Sequence, residues 1–399
     1  MTSVSISAAP AGGRAAPVAM TRNAAYDRAR TFIILLVLIH HSIIPYTYFG
    51  HTDRQSFMGF DAVVIFNDSF FMSAMFFLSG MFVWPSLQRK GIGCFLRDRW
   101  WRLGLPFAVA TVILMPIAYY AVELRLHDTG FAAYWWKTIT VGPWPSGPAW
   151  FVSVLLVFDV LAALAYRAAP GCIEVIGRLS LASLRRPAFS FWALLIGSIA
   201  VYAPADVYFG PARWFTLGPL AIQASRVLLY LLYFVAGVGV GSVRREQGLL
   251  ARDGELARLW PVWLAASIAT YGWIIAMLYI KHKLLPDMDL PPLWWNLTDA
   301  VVIAFFSAAQ TFNLLALFLR FGSDGASILD PLRENSYGIY LIHYVPMLWL
   351  QYALFNISLA PVMQVTAIIK AVIVLIVTLA LSWAATVALR RFPGATQVL

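Results

Sequence analysis

The sequence predicts an all-α fold, a polytopic transmembrane bundle of about ten helices, and three observations carry that reading. Of the 399 residues, 61% are hydrophobic and only 12% charged, with a mean hydropathy of +0.74; a soluble domain carries roughly 25% charged residues. The apolar residues fall into blocks of roughly 20, the length of helix that crosses about 30 Å of hydrocarbon, and not into the alternating segments of about 10 that mark a membrane β-barrel. The basic residues, finally, are distributed unevenly between alternate connections.

Taken in chain order, residues 1–25 are rich in Ala, Gly and Ser with scattered Arg, the composition of a flexible tail. No small-residue cleavage site follows the first apolar run, which is read as retained. Spans are expected at 28–48, 61–87, 103–122, 148–168, 189–209, 222–243, 259–280, 293–319, 334–355 and 362–389. Residues 26–391 then form one transmembrane domain and 392–399 a short second tail. An even number of spans puts both termini on one side.

With the N-terminus cytoplasmic, 21 of the 29 basic residues lie in inner segments, including Arg28, Arg30, Arg89, Lys90, Arg97, Arg99 and Arg102. Six lie in outer segments, and Arg226 and Lys370 fall within spans. That asymmetry follows the positive-inside rule. The net charge of +10 is therefore topogenic, the surroundings are membrane lipid, and no nucleic-acid partner is implied. Trp84, Trp100, Trp101, Trp144, Trp294 and Trp295 gather near span ends, where interfacial aromatics are enriched. Cys94 and Cys172 both fall in inner segments, so no disulfide is expected. The chain has no H-x-x-x-H, no C-x-x-C and no Gly-rich phosphate loop, which gives no metal site and no tightly bound cofactor.

Chemistry must come from polar residues inside the bundle, where an ionisable side chain is a functional candidate by default. Arg30 and His41 are eleven residues apart, about three turns plus 20°, so they share a helix face with a rise of about 16 Å between them. His40 is turned away by about 80°. Histidine suits a general base because it titrates near neutrality; the alternative is an interhelical hydrogen bond.

The run from Asp27 through Arg30 to His41 resembles the opening of the membrane acyltransferase family 3, whose first span carries an arginine, ten intervening residues and a histidine. Phe76-Phe77-Leu78-Ser79-Gly80, then Phe95 to Leu103 closed by Pro106, then Pro148-Ala149-Trp150-Phe151, then Ser336 to His343 follow in the order the family shows. Phe66-Asn67-Asp68 resembles the branch that succinylates periplasmic glucans.

The resemblance implies an O-acyltransferase that takes an acetyl or succinyl group from cytoplasmic acyl-CoA, a co-substrate, to a glycan hydroxyl on the other side of a bacterial inner membrane. His41 would be the catalytic base, with Arg30 and Asp68 beside it. Arg99 and Arg102, one helical turn apart, resemble the family's site for the donor's phosphates, since two guanidinium groups grip phosphate oxygens in bidentate fashion; the alternative is a topogenic cluster. Arg30 would meet the donor too. Asn67, His343, Tyr337 and Trp150 are candidates for the acceptor side, each with a packing alternative. Ser79-Gly80 is read as a close helix contact. Arg226 and Lys370 are candidates to line the acceptor side or attract an anionic acyl group, with snorkelling as the alternative; Asp159 and Asp299 have no assigned partner. A transporter or flippase, or a non-catalytic sensor, would use the same buried charges without cleaving a thioester.

Overall fold

The computed structural model describes residues 24–50, 52–243, 248–284, 291–322 and 325–398. The tail expected at residues 1–23, the inner charges Arg14, Arg22, Arg244 and Arg245, and the side chain of Cys172 lie outside the described residues.

Helix α1 (Ala24–Ile43) already includes Ala24 and Ala25, which the expected tail had claimed. It stops because Pro45 has no N–H to give the carbonyl of His41, and a single 3₁₀ turn over Ile44–Tyr46 follows. The second span is α2 (Met58–Asp68) followed by α3 (Phe71–Gly80). It ends earlier than expected, because residues up to Trp84 and beyond belong to α4 (Val83–Arg99). That helix is broken at Gly91, where φ is 73°, a conformation that favours glycine.

The third span is irregular. A π turn over Trp100–Gly104, α5 (Leu105–Val109), a second π turn over Ala110–Leu114 and α6 (Met115–Glu123) follow one another. Prolines explain this. Pro106 and Pro116 cannot donate to the carbonyls of Arg102 and Val112. Tyr337 Oη and Trp135 Nε1 donate to those two carbonyls instead, at 2.5 and 2.8 Å. Helix ends and kinks thereby become docking points for other helices.

The remaining elements are α7 (Phe131–Thr140), α8 (Trp150–Ala168), α9 (Pro170–Ala182), α10 (Ala188–Phe209), the antiparallel hairpin β1 (Trp214–Leu217) and β2 (Leu220–Gln223), α11 (Val227–Gly241), α12 (Glu255–Arg258), α13 (Trp260–Tyr279), α14 (Leu293–Phe321), α15 (Asp330–Arg333), α16 (Ser336–Ile342), α17 (Tyr344–Leu354), α18 (Met363–Leu389) and α19 (Ala395–Val398). Among the described residues, nine helical stretches are long and apolar enough to cross a membrane. The ninth expected span, 334–355, is divided at His343 into α16 and α17, of 7 and 11 residues. Pro346 cannot bond the carbonyl of Ile342, which is why the helix steps there. The protein is an all-α integral membrane bundle.

Helix α1 runs between α3, α14, α16 and α18. Helices α3 and α11 pack backbone to backbone: a Cβ on Gly80 would overlap the carbonyl of Phe234, and one on Gly237 would overlap that of Phe77. Only glycine permits that approach, as the Ser79-Gly80 reading expected. Phe76 fills the junction, with ring centroids 4.8 Å from Phe151, 5.2 Å from Phe158 and 5.1 Å from Tyr230. Trp84 and Trp295 are buried, whereas Trp100, Trp101 and Trp294 are exposed.

On the face carrying most of the basic residues, hereafter the basic face, Arg28 clamps the loop before α15. Its Nε and Nη2 donate to the two carboxylate oxygens of Asp330 at 2.9 and 2.7 Å, and Nη1 and Nη2 also reach the carbonyls of Gly322 and Gly325. Those hydrogen bonds hold the Asp330 carboxyl down at about 2. On the opposite face, Lys370 reaches both oxygens of Asp53 at 3.1 Å, and both side chains are buried.

Candidate active site

A cavity of about 580 Å³ opens on the basic face. Arg30 enters it from α1, Arg89, Lys90 and Arg99 from α4, Arg102 from the π turn, and Arg333 and Arg390 from the far wall. Asp27, Asp98 and Glu334 leave a positive balance. The inner end closes on apolar Ile34, Met75, Phe151 and Leu155 and on Tyr340. A site that is cationic at its mouth and apolar at its depth fits a ligand with an anionic head and an apolar tail.

Two of the arginines are held. Arg30 Nη2 donates to the Leu78 carbonyl at 2.9 Å, one of the last carbonyls of α3, and its guanidinium lies 4.3 Å from the Phe82 ring centroid. Arg99 Nε is 3.1 Å from Oδ2 of Asp159, whose side chain is 1% exposed. Burying that carboxylate without its arginine would be costly, so Asp159 fixes Arg99 at the cavity wall. The Arg102 carbonyl is bonded by Tyr337, and its side chain lines the cavity.

Beyond the apolar end lie two histidines. His41 Nδ1 and His343 Nε2 are 3.2 Å apart, and His343 Nδ1 is 2.6 Å from the Tyr340 carbonyl oxygen. The tautomers follow from what each partner can do. A carbonyl only accepts, so His343 Nδ1 carries a proton; in a neutral imidazole His343 Nε2 then accepts, and His41 Nδ1 donates to it. His41 Nε2 is left with an unprotonated lone pair, the state of a general base. Tyr340, His343 and His41 form a relay in which each group orients the next, as the orienting carboxylate does in a Ser-His-Asp triad.

The backbone reinforces this placement. The His41 carbonyl freed by Pro45 accepts Gln351 Nε2 at 3.1 Å, tying α1 to α17. The Tyr344 ring stands edge-on to His41 with centroids 5.2 Å apart. His40 faces away, against Phe71 at 5.1 Å, and its Nδ1 has no partner. His41 lies in the last turn of α1, closer to the opposite face than the mid-membrane depth expected, because Pro45 ends the helix early.

Residues 23–387 match the acyltransferase domain model of acyltransferase family 3. The chain belongs to acyltransferase family 3. No curated protein and no solved structure gives a significant match.

This acyltransferase thus brings Arg30, Arg99, Arg102 and Tyr337 to one cavity and pairs His41 with His343. Tyr340 joins the two: its side chain lines the cavity and its carbonyl holds His343. Other expected site residues go elsewhere. Tyr337, expected on the acceptor side, lines the cationic cavity. Asp68 is not bonded to His41; its Oδ2 is 2.6 Å from Arg226 Nη2, and its carbonyl accepts Arg226 Nη1 at 2.6 Å. Trp150 stacks on Tyr230 at 5.7 Å and meets Trp214 of the hairpin edge-on at 5.8 Å. Asn67 is 1% exposed and both its amide atoms lack partners.

The Arg99–Asp159, Arg226–Asp68 and Lys370–Asp53 pairs were not assigned from sequence. Each pair has at least one member within an expected span (Asp159, Asp68 with Arg226, and Lys370), but the sequence gives no lateral distance between segments.

Proposed function

We propose that this membrane acyltransferase moves an acetyl or succinyl group from cytoplasmic acyl-CoA to a hydroxyl of a glycan on the other side of a bacterial inner membrane, with both termini cytoplasmic. The observation that carries the reading is the continuity from the cationic cavity, through Tyr340, to the His343–His41 pair. The positive-inside rule assigns the cavity mouth to the cytoplasm, where acyl-CoA is made.

In this reading the nucleotide phosphates of acyl-CoA lie against Arg99 and Arg102 with Arg89, Lys90 and Arg390 around them. The pantetheine arm runs past Arg30 toward the apolar end. The rise of about 16 Å from Arg30 to His41 is the distance the thioester covers. The acceptor arrives from the opposite side. His41 Nε2 takes the proton of the acceptor hydroxyl as its oxygen attacks the thioester carbonyl carbon. The new ester C–O bond forms, the C–S bond breaks, and the departing thiolate takes up the proton from His41 as the CoA thiol. Direct transfer is favoured over an acyl-histidine, because the lone pair of His41 is oriented but needs only to carry a proton.

Purified protein in nanodiscs with radiolabelled acetyl- or succinyl-CoA and a polysaccharide acceptor tests this. Label should appear in the polysaccharide with release of free CoA. Movement of substrate without thioester cleavage would assign a transporter instead.

A further inference from the structure

One group of buried polar residues takes no part in the relay. At the end of α2 stand Asn67 and Asp68, and in the 3₁₀ turn Ala224–Arg226 that leads into α11 stand Ser225 and Arg226; the Asp68–Arg226 ion pair joins the two segments. The Arg226 side chain is 6% exposed, yet that of Asp68 is 36% exposed, so the pair is buried on one side and open on the other. Asn67 is 1% exposed and Ser225 0%, and neither the Asn67 amide atoms nor Ser225 Oγ has a hydrogen-bond partner. Arg226 Nε is likewise unbonded.

Buried polar atoms are normally satisfied, because an unmet donor or acceptor loses its hydration for nothing. Several unmet groups on two adjoining segments mark a place organised for a polar guest. Arg226 is met by Asp68 and also lies within the field of buried Asp206, so the place holds no surplus positive charge, which disfavours an anion. The unmet groups include donors (Arg226 Nε and the Asn67 NH₂), an acceptor (Asn67 Oδ1) and a hydroxyl that is both. A sugar or polyol hydroxyl is also both donor and acceptor. Tyr230, a turn along α11, reaches Arg226 with its hydroxyl and carries Trp150 stacked on its ring, and flat aromatic faces suit the C–H side of a sugar ring. The place adjoins the relay: His40 rests on Phe71, three residues beyond Asp68, and its ring is 5.5 Å from that of His41.

We infer that the Asn67–Asp68 and Ser225–Arg226 junction is the acceptor subsite, and that it takes a neutral polyhydroxylated ligand such as an uncharged glycan. The inference rests on the acyl-transfer reading for its place in catalysis, though not for the binding it requires. The guest enters at the open edge beside Asp68 and exchanges hydrogen bonds with Asn67, Ser225 and Arg226 Nε.

The test uses the full-length protein in nanodiscs, with linear gluco-oligosaccharides as the neutral probe, oligogalacturonate as the anionic one, and Asn67→Leu as the variant. Leucine keeps the branched outline of asparagine, with bulkier methyl groups, and removes its unmet atoms. Binding of the neutral probe by calorimetry should weaken about tenfold, the value of one well-made hydrogen bond. The acceptor KM should rise by a similar factor while the donor KM moves less than about twofold. The melting temperature should hold or rise, since no internal bond is lost. Preferential binding of oligogalacturonate by the wild-type chain, or unchanged affinity for the neutral probe in Asn67→Leu, overturns the inference. Absence of CoA release with every acceptor would overturn acyl transfer, and the calorimetry would still decide the subsite.

Discussion

His40 and His41 differ by one position and by one hydrogen bond. His41 donates to His343, which donates to the Tyr340 carbonyl, whereas His40 Nδ1 has no partner. Replacing His343 with Ala removes the acceptor of the His41 Nδ1 proton and lets either tautomer form. It should lower kcat by about 10² with little change in donor KM, and His343→Asn, whose side-chain oxygen can accept the same proton, should restore part of the rate. Steady-state kinetics with both substrates varied would decide it; equal rates in His343→Ala and wild type would mean that His41 needs no orientation. In the proposed reaction Arg99 and Arg102 serve a different step, the binding of the donor. Their joint replacement by Ala should raise donor KM at least about tenfold and leave kcat at saturating donor within a few-fold. The Arg30 and His41 positions were legible in the sequence because helix geometry places them on one face. The histidine partnership was legible only as two histidines at similar depth, since sequence gives a height in the membrane but no neighbour across it.

At the scale of elements, the packing depends on a few backbone devices. The α3–α11 contact has no room for a side chain at Gly237, so Gly237→Val should prevent accumulation of folded protein, read as loss of a monodisperse peak in detergent. Lys370 and Asp53 are buried as a pair, linking α18 to the loop after α1. Lys370→Met leaves an unpaired buried carboxylate and should cost about 3 to 5 kcal/mol, with the double change Lys370→Met/Asp53→Leu recovering most of it. Thermal unfolding of the single and double variants supplies the comparison. The Arg28–Asp330 clamp responds to pH with a defined sign. The folded carboxyl is held at about 2, below its unfolded value of about 3.9. Its contribution is therefore complete above about pH 4 and is lost as pH falls through about 2. The melting temperatures of wild type and Asp330→Asn should differ above about pH 4 and converge at the acid end. Most spans were legible to within a few residues from apolar length alone. The exceptions have physical causes: Pro45, Pro106 and Pro116 redirect carbonyls to other helices, Gly91 breaks α4, and Pro346 divides the span around His343 without interrupting its hydropathy.

The whole molecule places a cationic cavity on one face and a histidine relay near the other, with an aromatic layer of Phe76, Phe151 and Tyr340 between them. In the proposed reaction donor and acceptor approach from opposite sides and meet at one base, His41. Composition and the distribution of basic residues made the membrane bundle legible, and the ordered motifs made the family legible. The ion pairs that close the bundle were not, because each joins segments far apart in the chain: Arg226 to Asp68, Arg99 to Asp159, Lys370 to Asp53. The most direct test of the account is the rate of label transfer from acyl-CoA to glycan by His41→Ala in nanodiscs, with folding checked by melting temperature. The account predicts a loss of at least about 10² in rate with donor affinity retained; transfer at the wild-type rate would contradict it.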